Sequence, residues 1–336
     1  MERDEPDGPL RSCLDLQGYL GREGLGDHAL LGQDPLDIER HVRVLETIDF
    51  HAGRYWPLEA ALWDIAGQVA GTPVAGLFGG KLVAIPAYAS CGMLLPAPER
   101  AESALRMRDE GFRALKIRVD PRRLEEGLAA VSATRAAVGD SMDIMVDLNQ
   151  GWRMAGDTTP SIDVTTARDI GARLADEGVL WMEEPLDGSD LPGLASLRAA
   201  ELGVRIAGGE MTRTHHEALW ALASDAFDVY QEDVALAGGM LRNRTLAEMV
   251  MARGRWFTPH TWTNGLGLLA NLHVAAGVGG GPYLEFPYDP PGWTPERRDA
   301  FLAEPIRPDG EGMLHVPTVP GLGARLDEVS VRRYAA

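Results

Sequence analysis

Asp147, Glu183, Glu210, Asp233, His260 and Glu285 follow one another at gaps of 36, 27, 23, 27 and 25 residues, each closing a short apolar run. Upstream of them, Lys116 and Arg118 stand two apart in Ala114-Leu115-Lys116-Ile117-Arg118. On an extended chain, residues two apart point to the same side, so the two cations share a face. Of the 32 Lys plus Arg in the chain, only Lys81 and Lys116 are lysine. Arginine stays protonated in proteins, whereas lysine can give up its proton near neutral pH. Lys116 therefore reads as a base, its pKa lowered by the fixed charge of Arg118 and by a nearby metal. Lys81, next to Gly79 and Gly80, reads as a turn residue.

One acid at a strand end is usually a helix cap or a solvated loop residue. Three from successive strand ends are a different matter. Asp147, Glu183 and Glu210 brought together without a cation would repel one another and resist ionisation. A divalent ion resolves that, and an all-oxygen donor set without Cys or His favours Mg²⁺ or Mn²⁺ over Zn²⁺. His260 lies in Phe257-Thr258-Pro259-His260-Thr261-Trp262, and its expected neighbour across the strands is Asp233. A carboxylate there would orient the imidazole and raise its basicity. Glu285 sits in the apolar run Tyr283-Leu284-Glu285-Phe286. It can donate a hydrogen bond if protonated, or pair with Arg or Lys, and the sequence leaves both open. His215 and His216 have no such partner in sequence and read as surface residues.

The elements that must position these groups show as a rhythm. Strand candidates at 84–90, 114–119, 143–148, 180–184, 205–209, 229–233, 256–260 and 283–286 alternate with amphipathic stretches at 101–108, 124–138, 164–175 and 241–251. Eight such alternations predict an α/β fold, a parallel (β/α)₈ barrel of the TIM type, whose strand C-termini meet at the one face where active sites form. Residues 83–300 are assigned to the barrel with its metal site. Residues 1–82, helical from about 35 and at 57–69, form a shortened N-terminal α+β capping region. Residues 301–336 form a C-terminal segment packing back on the cap. A net charge of −18 argues against a nucleic-acid surface. No run of about 18 apolar residues suggests a membrane span. The acidic start of the chain is not a secretory signal. With only Cys13 and Cys91, no disulfide framework is expected, and a reducing cytoplasm is the default.

Several motifs in one order resemble the mandelate racemase subgroup of the enolase superfamily. They are Ala60-Ala61-Leu62-Trp63-Asp64-Ile65-Ala66-Gly67, Leu77-Phe78-Gly79-Gly80, the Lys-x-Arg pair, Trp181-Met182-Glu183-Glu184-Pro185, Gly209-Glu210, Gln231-Glu232-Asp233, Gly238-Gly239, Pro259-His260-Thr261 and Pro320-Gly321-Leu322-Gly323. The resemblance implies Asp147, Glu183 and Glu210 as Mg²⁺ ligands, with Lys116 and the His260–Asp233 dyad on opposite faces of a small carboxylate substrate. Glu285 matches the position that meets the substrate carboxylate or the developing enolate. Arg118 stands where many relatives have a second lysine. The three-strand meander of such caps is missing from the pattern, and homo-oligomers are common among relatives. The expected activity is removal of the proton next to the carboxylate, leading to dehydration of a sugar acid (aldonate or aldarate) to a 2-keto-3-deoxy acid. The alternatives are racemisation or epimerisation of a 2-hydroxy acid or related carboxylate, and an inactive ligand-binding barrel.

Overall fold

The computed structural model describes residues 29–52 and 56–334. The Gly-rich, charged start of the chain, part of the α+β capping region expected over residues 1–82, falls mostly outside these residues. Eight strands run parallel in the order β8-β1-β2-β3-β4-β5-β6-β7. They are β1 (Ala84–Ser90), β2 (Ala114–Arg118), β3 (Asp143–Asp147), β4 (Trp181–Glu183), β5 (Arg205–Gly208), β6 (Val229–Tyr230), β7 (Trp256–Phe257) and β8 (Leu284–Pro287). A short β9 (Met313–His315) pairs antiparallel with the start of β1.

Alternation along each strand divides the core in two. Tyr88, Ala114, Met145, Trp181, Ala207 and Val229 form one fully buried cluster, the filling of the barrel. Their chain neighbours Ala87, Ala89, Leu115, Ile144, Val146, Met182, Ile206 and Tyr230, with Leu284 and Phe286 on either side of Glu285, belong to a separate cluster, between barrel and helices. Parallel strands covered on both faces therefore read as continuous apolar runs in sequence. The ladder ends at β7 and β8, and the seam between them is closed by single bonds. Gly281 N donates to the Phe257 carbonyl at 2.6 Å, and Thr261 Oγ1 to the Glu285 carbonyl at 2.8 Å.

The helices in chain order are α1 (Ile38–Ala52), α2 (Trp56–Ala70), α3 (Val74–Leu77), α4 (Ala97–Asp109), α5 (Leu124–Val138), α6 (Val164–Asp176), α7 (Leu191–Ala199), α8 (His215–Ala223), α9 (Gly239–Ala252), α10 (Gly265–Val278), α11 (Pro295–Arg298) and α12 (Glu328–Tyr334). Side-chain oxygens satisfy first-turn amides where the barrel helices begin: Asp163 at α6, Asp190 at α7, Thr214 at α8 and Asn264 at α10. The sequence pattern marks neither α7 nor α10, and α8 only as a helix carrying His215 and His216. Helices α7 and α8 have nine residues each, and α10 is buried all round, so no polar stripe gives it a period. After β8 the expected eighth helix is the four-residue α11.

Before β1 the described residues form helices only, α1 to α3. The C-terminal segment returns to them: Gly321 bridges Pro73, and Leu322 N donates to Asp64 Oδ1 at 2.7 Å. Among the described residues no helix is long and apolar enough to cross a membrane.

Candidate active site

Register brings the first site residues together. Arg118 is the ladder partner of Asp147, and Asp147 of Glu183, so three side chains stand on one rung at the C-terminal ends of β2, β3 and β4. One layer deeper, Tyr88 on β1 is paired with Glu285 on β8. Glu210 follows the end of β5 after Gly209, whose φ of +108° is open to glycine and strained for other residues. Asp233 and His260 lie beyond their strands, where the sequence reading had extended β6 to 233 and β7 to 260. Bonds from Gln231 N to the Gly208 carbonyl and from His260 N to the Gln231 carbonyl keep these extensions parallel in direction without a regular ladder.

Asp147, Glu183 and Glu210 are buried and each offers an oxygen within 4.8 Å of the others. Each is held from behind. Asn149 donates from its backbone and its amide to the two oxygens of Asp147, at 2.8 and 3.0 Å. Glu183 Oε2 accepts from Gln231 Nε2 at 2.6 Å and from the Trp181 indole at 3.1 Å. Glu210 Oε1 accepts from the Trp152 indole at 2.7 Å. Burial is the main force raising all three pKa values, and repulsion adds to it, from Glu210 on Asp147 and from Glu183 on Glu210. An all-oxygen donor set, oriented and in want of positive charge, fits a hard divalent cation.

Lys116 and His260 sit at two edges of this triad. Lys116 is 3% exposed. It donates to Glu183 Oε1, meets Glu285 Oε1 at 2.8 Å and lies 3.9 Å from Asp147 Oδ2. The expected lowering of its pKa is not what these neighbours produce. Burial pulls it down, but the carboxylates of Glu183 and Glu285 outweigh burial and hold it well above the ordinary lysine value. Sequence spacing shows the cation two residues away, Arg118, but not the acids that other strands bring to Lys116. Arg118 lies 4.0 Å from Asp147 Oδ2, about a third exposed, with its guanidinium 5.8 Å from the Trp262 ring centre.

His260 Nδ1 is 3.0 Å from Asp233 Oδ2, as the sequence predicts, and Nε2 is 3.6 Å from Glu210 Oε2. Burial lowers its pKa, but Glu210, Glu285 and Asp233 push it up to about 10. Asp233 is itself fixed by Asn271 Nδ2 at 2.9 Å and the Ala235 amide at 2.8 Å. Glu285 takes the ion-pair alternative. It accepts from Ser90 Oγ at 2.7 Å, the Thr261 amide at 2.8 Å and the Trp262 indole at 3.1 Å. Burial raises its pKa, but the charges of Lys116 and His260 prevail and bring it to about 2.

The residues that hold the triad and Glu285 were not singled out from the sequence. Gln231 was within reach: it lies two before Asp233, so the strand period puts both on the inner face. Ser90 is the ladder partner of Lys116, which only register reveals. Trp152 and Trp262 arrive from loops and leave no periodic signal.

The family model described as Enolase C-terminal domain-like matches residues 99–330. The chain belongs to the enolase superfamily. It is 30% identical over 280 residues to an L-talarate/galactarate dehydratase of Salmonella typhimurium, covering 79% of this chain and 66% of that one. It is 29% identical to a D-galactarolactone cycloisomerase of Agrobacterium fabrum, over 97% of this chain and 86% of the other. Among solved structures, the mandelate racemase/muconate lactonizing enzyme-like protein from Roseovarius sp. TM1035 superposes with a TM-score of 0.79 at 25% identity, covering 97% of this chain and 84% of that one. These likenesses agree with the α/β barrel, and superfamily members are enzymes.

Proposed function

We propose that this enolase-superfamily member removes the proton next to a substrate carboxylate in a Mg²⁺-dependent reaction, and that the outcome is dehydration of a sugar acid to a 2-keto-3-deoxy acid. The observation that carries the reading is the pair of proton-transfer groups at two edges of one acid triad: Lys116 Nζ against Glu183, and His260 Nε2 3.6 Å from Glu210. A cation held by Asp147, Glu183 and Glu210 would supply fixed positive charge to the substrate carboxylate as negative charge builds on it.

The rest falls to side chains of this chain. Asp233 fixes the His260 ring through Nδ1 and turns Nε2 toward the substrate space. Glu285, ionised and held by Ser90, Thr261 and Trp262, anchors the Lys116 ammonium group. A cation held by the triad would offset the carboxylates that keep Lys116 and His260 protonated, so that one of the two could take the α-proton as base. The other, still protonated, gives its proton to the departing β-hydroxyl, so that Cα–H and Cβ–O break, water leaves, and the enol formed tautomerises to the 2-keto-3-deoxy acid. If the protonated group on the opposite face instead delivers its own proton to the α-carbon, that centre is inverted. The 28% identity over 172 residues to an N-succinyl-L-Arg/Lys racemase of Bacillus cereus supports keeping this racemase or epimerase outcome as the second reading.

The deciding experiment is incubation with aldonates and aldarates and Mg²⁺ in D₂O. Formation of a 2-keto acid supports dehydration. Deuterium at the α-carbon without a keto product supports racemisation or epimerisation. Neither signal across a broad acid library would overturn the enzymatic reading.

A further inference from the structure

The loop between β3 and α6, residues 148–163, touches the surroundings of all three acids. Asn149 holds both oxygens of Asp147. Gln150 N donates at 2.9 Å to the carbonyl of Glu184, the residue after Glu183. Trp152 Nε1 donates at 2.7 Å to Glu210 Oε1, 58 residues away in sequence. The loop packs so closely on the end of β4 that a Cβ at Gly151 would lie 2.3 Å from Glu184 Oε1. Its shape is held by Arg153, whose Nη1 donates to the carbonyls of Asn149, Gln150 and Trp152 at 3.3, 3.2 and 2.8 Å. The same guanidinium reaches the Thr159 carbonyl at 3.0 Å, Gln150 Oε1 at 3.1 Å and Ser161 Oγ at 2.8 Å. None of these acceptors is a carboxylate, so the hydrogen bonds of Arg153 are spent on the loop itself.

We infer that Trp152 is a positioning residue for Glu210: its indole N–H fixes the carboxylate as a cation ligand, and Arg153 fixes Trp152. The inference rests on the metal reading of the acid triad. A carboxylate on a flexible glutamate stem has to be ordered before it can ligate, and ordering it in advance removes that cost from binding. Trp152 engages Oε1 and leaves Oε2 to the open side, where His260 Nε2 lies 3.6 Å away. Partners behind a metal ligand are worth roughly 10- to 100-fold in metal affinity. Trp152 also lines a cavity of about 330 Å³ with Arg118 and Asn149, so one side chain is both a wall of that cavity and the hydrogen-bond partner of Glu210.

The test is Mn²⁺ binding to the full chain, followed by the electron paramagnetic resonance signal of free Mn²⁺, which needs no substrate. Trp152→Phe keeps a ring in place and removes only the donor. Its Mn²⁺ Kd is expected to rise about 10-fold, with the melting temperature of the metal-free protein unchanged. Arg153→Gln, which touches no acid of the triad, is expected to weaken Mn²⁺ in the same direction. A Trp152→Phe variant that binds Mn²⁺ as tightly as the parent would overturn the inference while leaving the metal reading intact. A parent protein that does not bind Mn²⁺ would overturn both.

Discussion

His260 is flanked by acids at both ring nitrogens, Asp233 at Nδ1 and Glu210 at Nε2, and Asp233 is pinned in turn by Asn271. Such a ring has one orientation, and its function is lost with its titrating group. Replacing it by Asn, which keeps a polar side chain, is expected to lower kcat by about 10²–10⁴, read as 2-keto acid formation from a sugar acid. Turnover equal to the parent's would remove His260 from the reaction. A different residue-scale consequence attaches to Glu232, which is 1% exposed. Its two oxygens meet no hydrogen-bond partner among the described residues, and burial pushes its pKa up to about 8 from 4.5. The folded chain thus keeps a proton that the unfolded chain releases. The stabilisation is complete below pH 4.5 and lost as pH rises through about 8. Glu232→Gln should flatten the fall of the urea midpoint between these limits, by an amount on the order of a few kcal/mol. Parallel pH curves for parent and variant would show that Glu232 ionises as freely as in the unfolded chain.

At the scale of elements, the buried carboxylate of Glu59 on α2 closes the open end of α9. It accepts from the amides of Met240 at 3.1 Å and Leu241 at 2.7 Å, and from the Trp63 indole at 2.9 Å. Gly239 is required beside it, since a Cβ there would meet Glu59 Oε2 at 1.7 Å. Glu59→Ala leaves buried donors without acceptors and should cost about 1–3 kcal/mol, seen in denaturant unfolding. The elements themselves were unevenly legible. Strands β1 to β5 and helix α5 stand close to where alternation and amphipathicity placed them. Strands β6 and β7 are shorter, because Asp233 and His260 leave the ladder to face the site. Helix α10 was hidden by its burial: it is wrapped by α3, α9, β1 and β8, and its own polar group His273 is spent inside, between the Ala75 amide and the Leu322 carbonyl.

At the scale of the whole molecule, the barrel gathers buried acids in a chain that already carries a net charge of −18. Desolvation and mutual repulsion of Asp147, Glu183 and Glu210 oppose folding, and a divalent cation binding only the folded state relieves both. Mg²⁺ at 100 times its Kd should add about 2.7 kcal/mol to stability, measured as a rise in melting temperature that EDTA reverses. A melting temperature indifferent to Mg²⁺ and to EDTA would argue that the triad holds no cation. The same closure depends on the C-terminal segment, which ties Gly321 and Leu322 to α2 and α3 and, through His273, to α10.

By itself the sequence determined the repeating βα rhythm, the inward face of each strand and the acids and bases at the strand ends, because the two-residue period and the helix period are written locally. It also supplied the His260–Asp233 pairing, since neighbouring strands in such a barrel follow one another in the chain. Tertiary structure alone decided the rest. Ladder register put Ser90 beside Lys116 and Arg118 beside Asp147. Loops carried Trp152 to Glu210 and Trp262 to Glu285. Folding likewise set Glu183 and Glu285 against Lys116, where their charges raise its pKa, because a pKa answers to every charge within a few ångströms and these come from strands far apart in the chain.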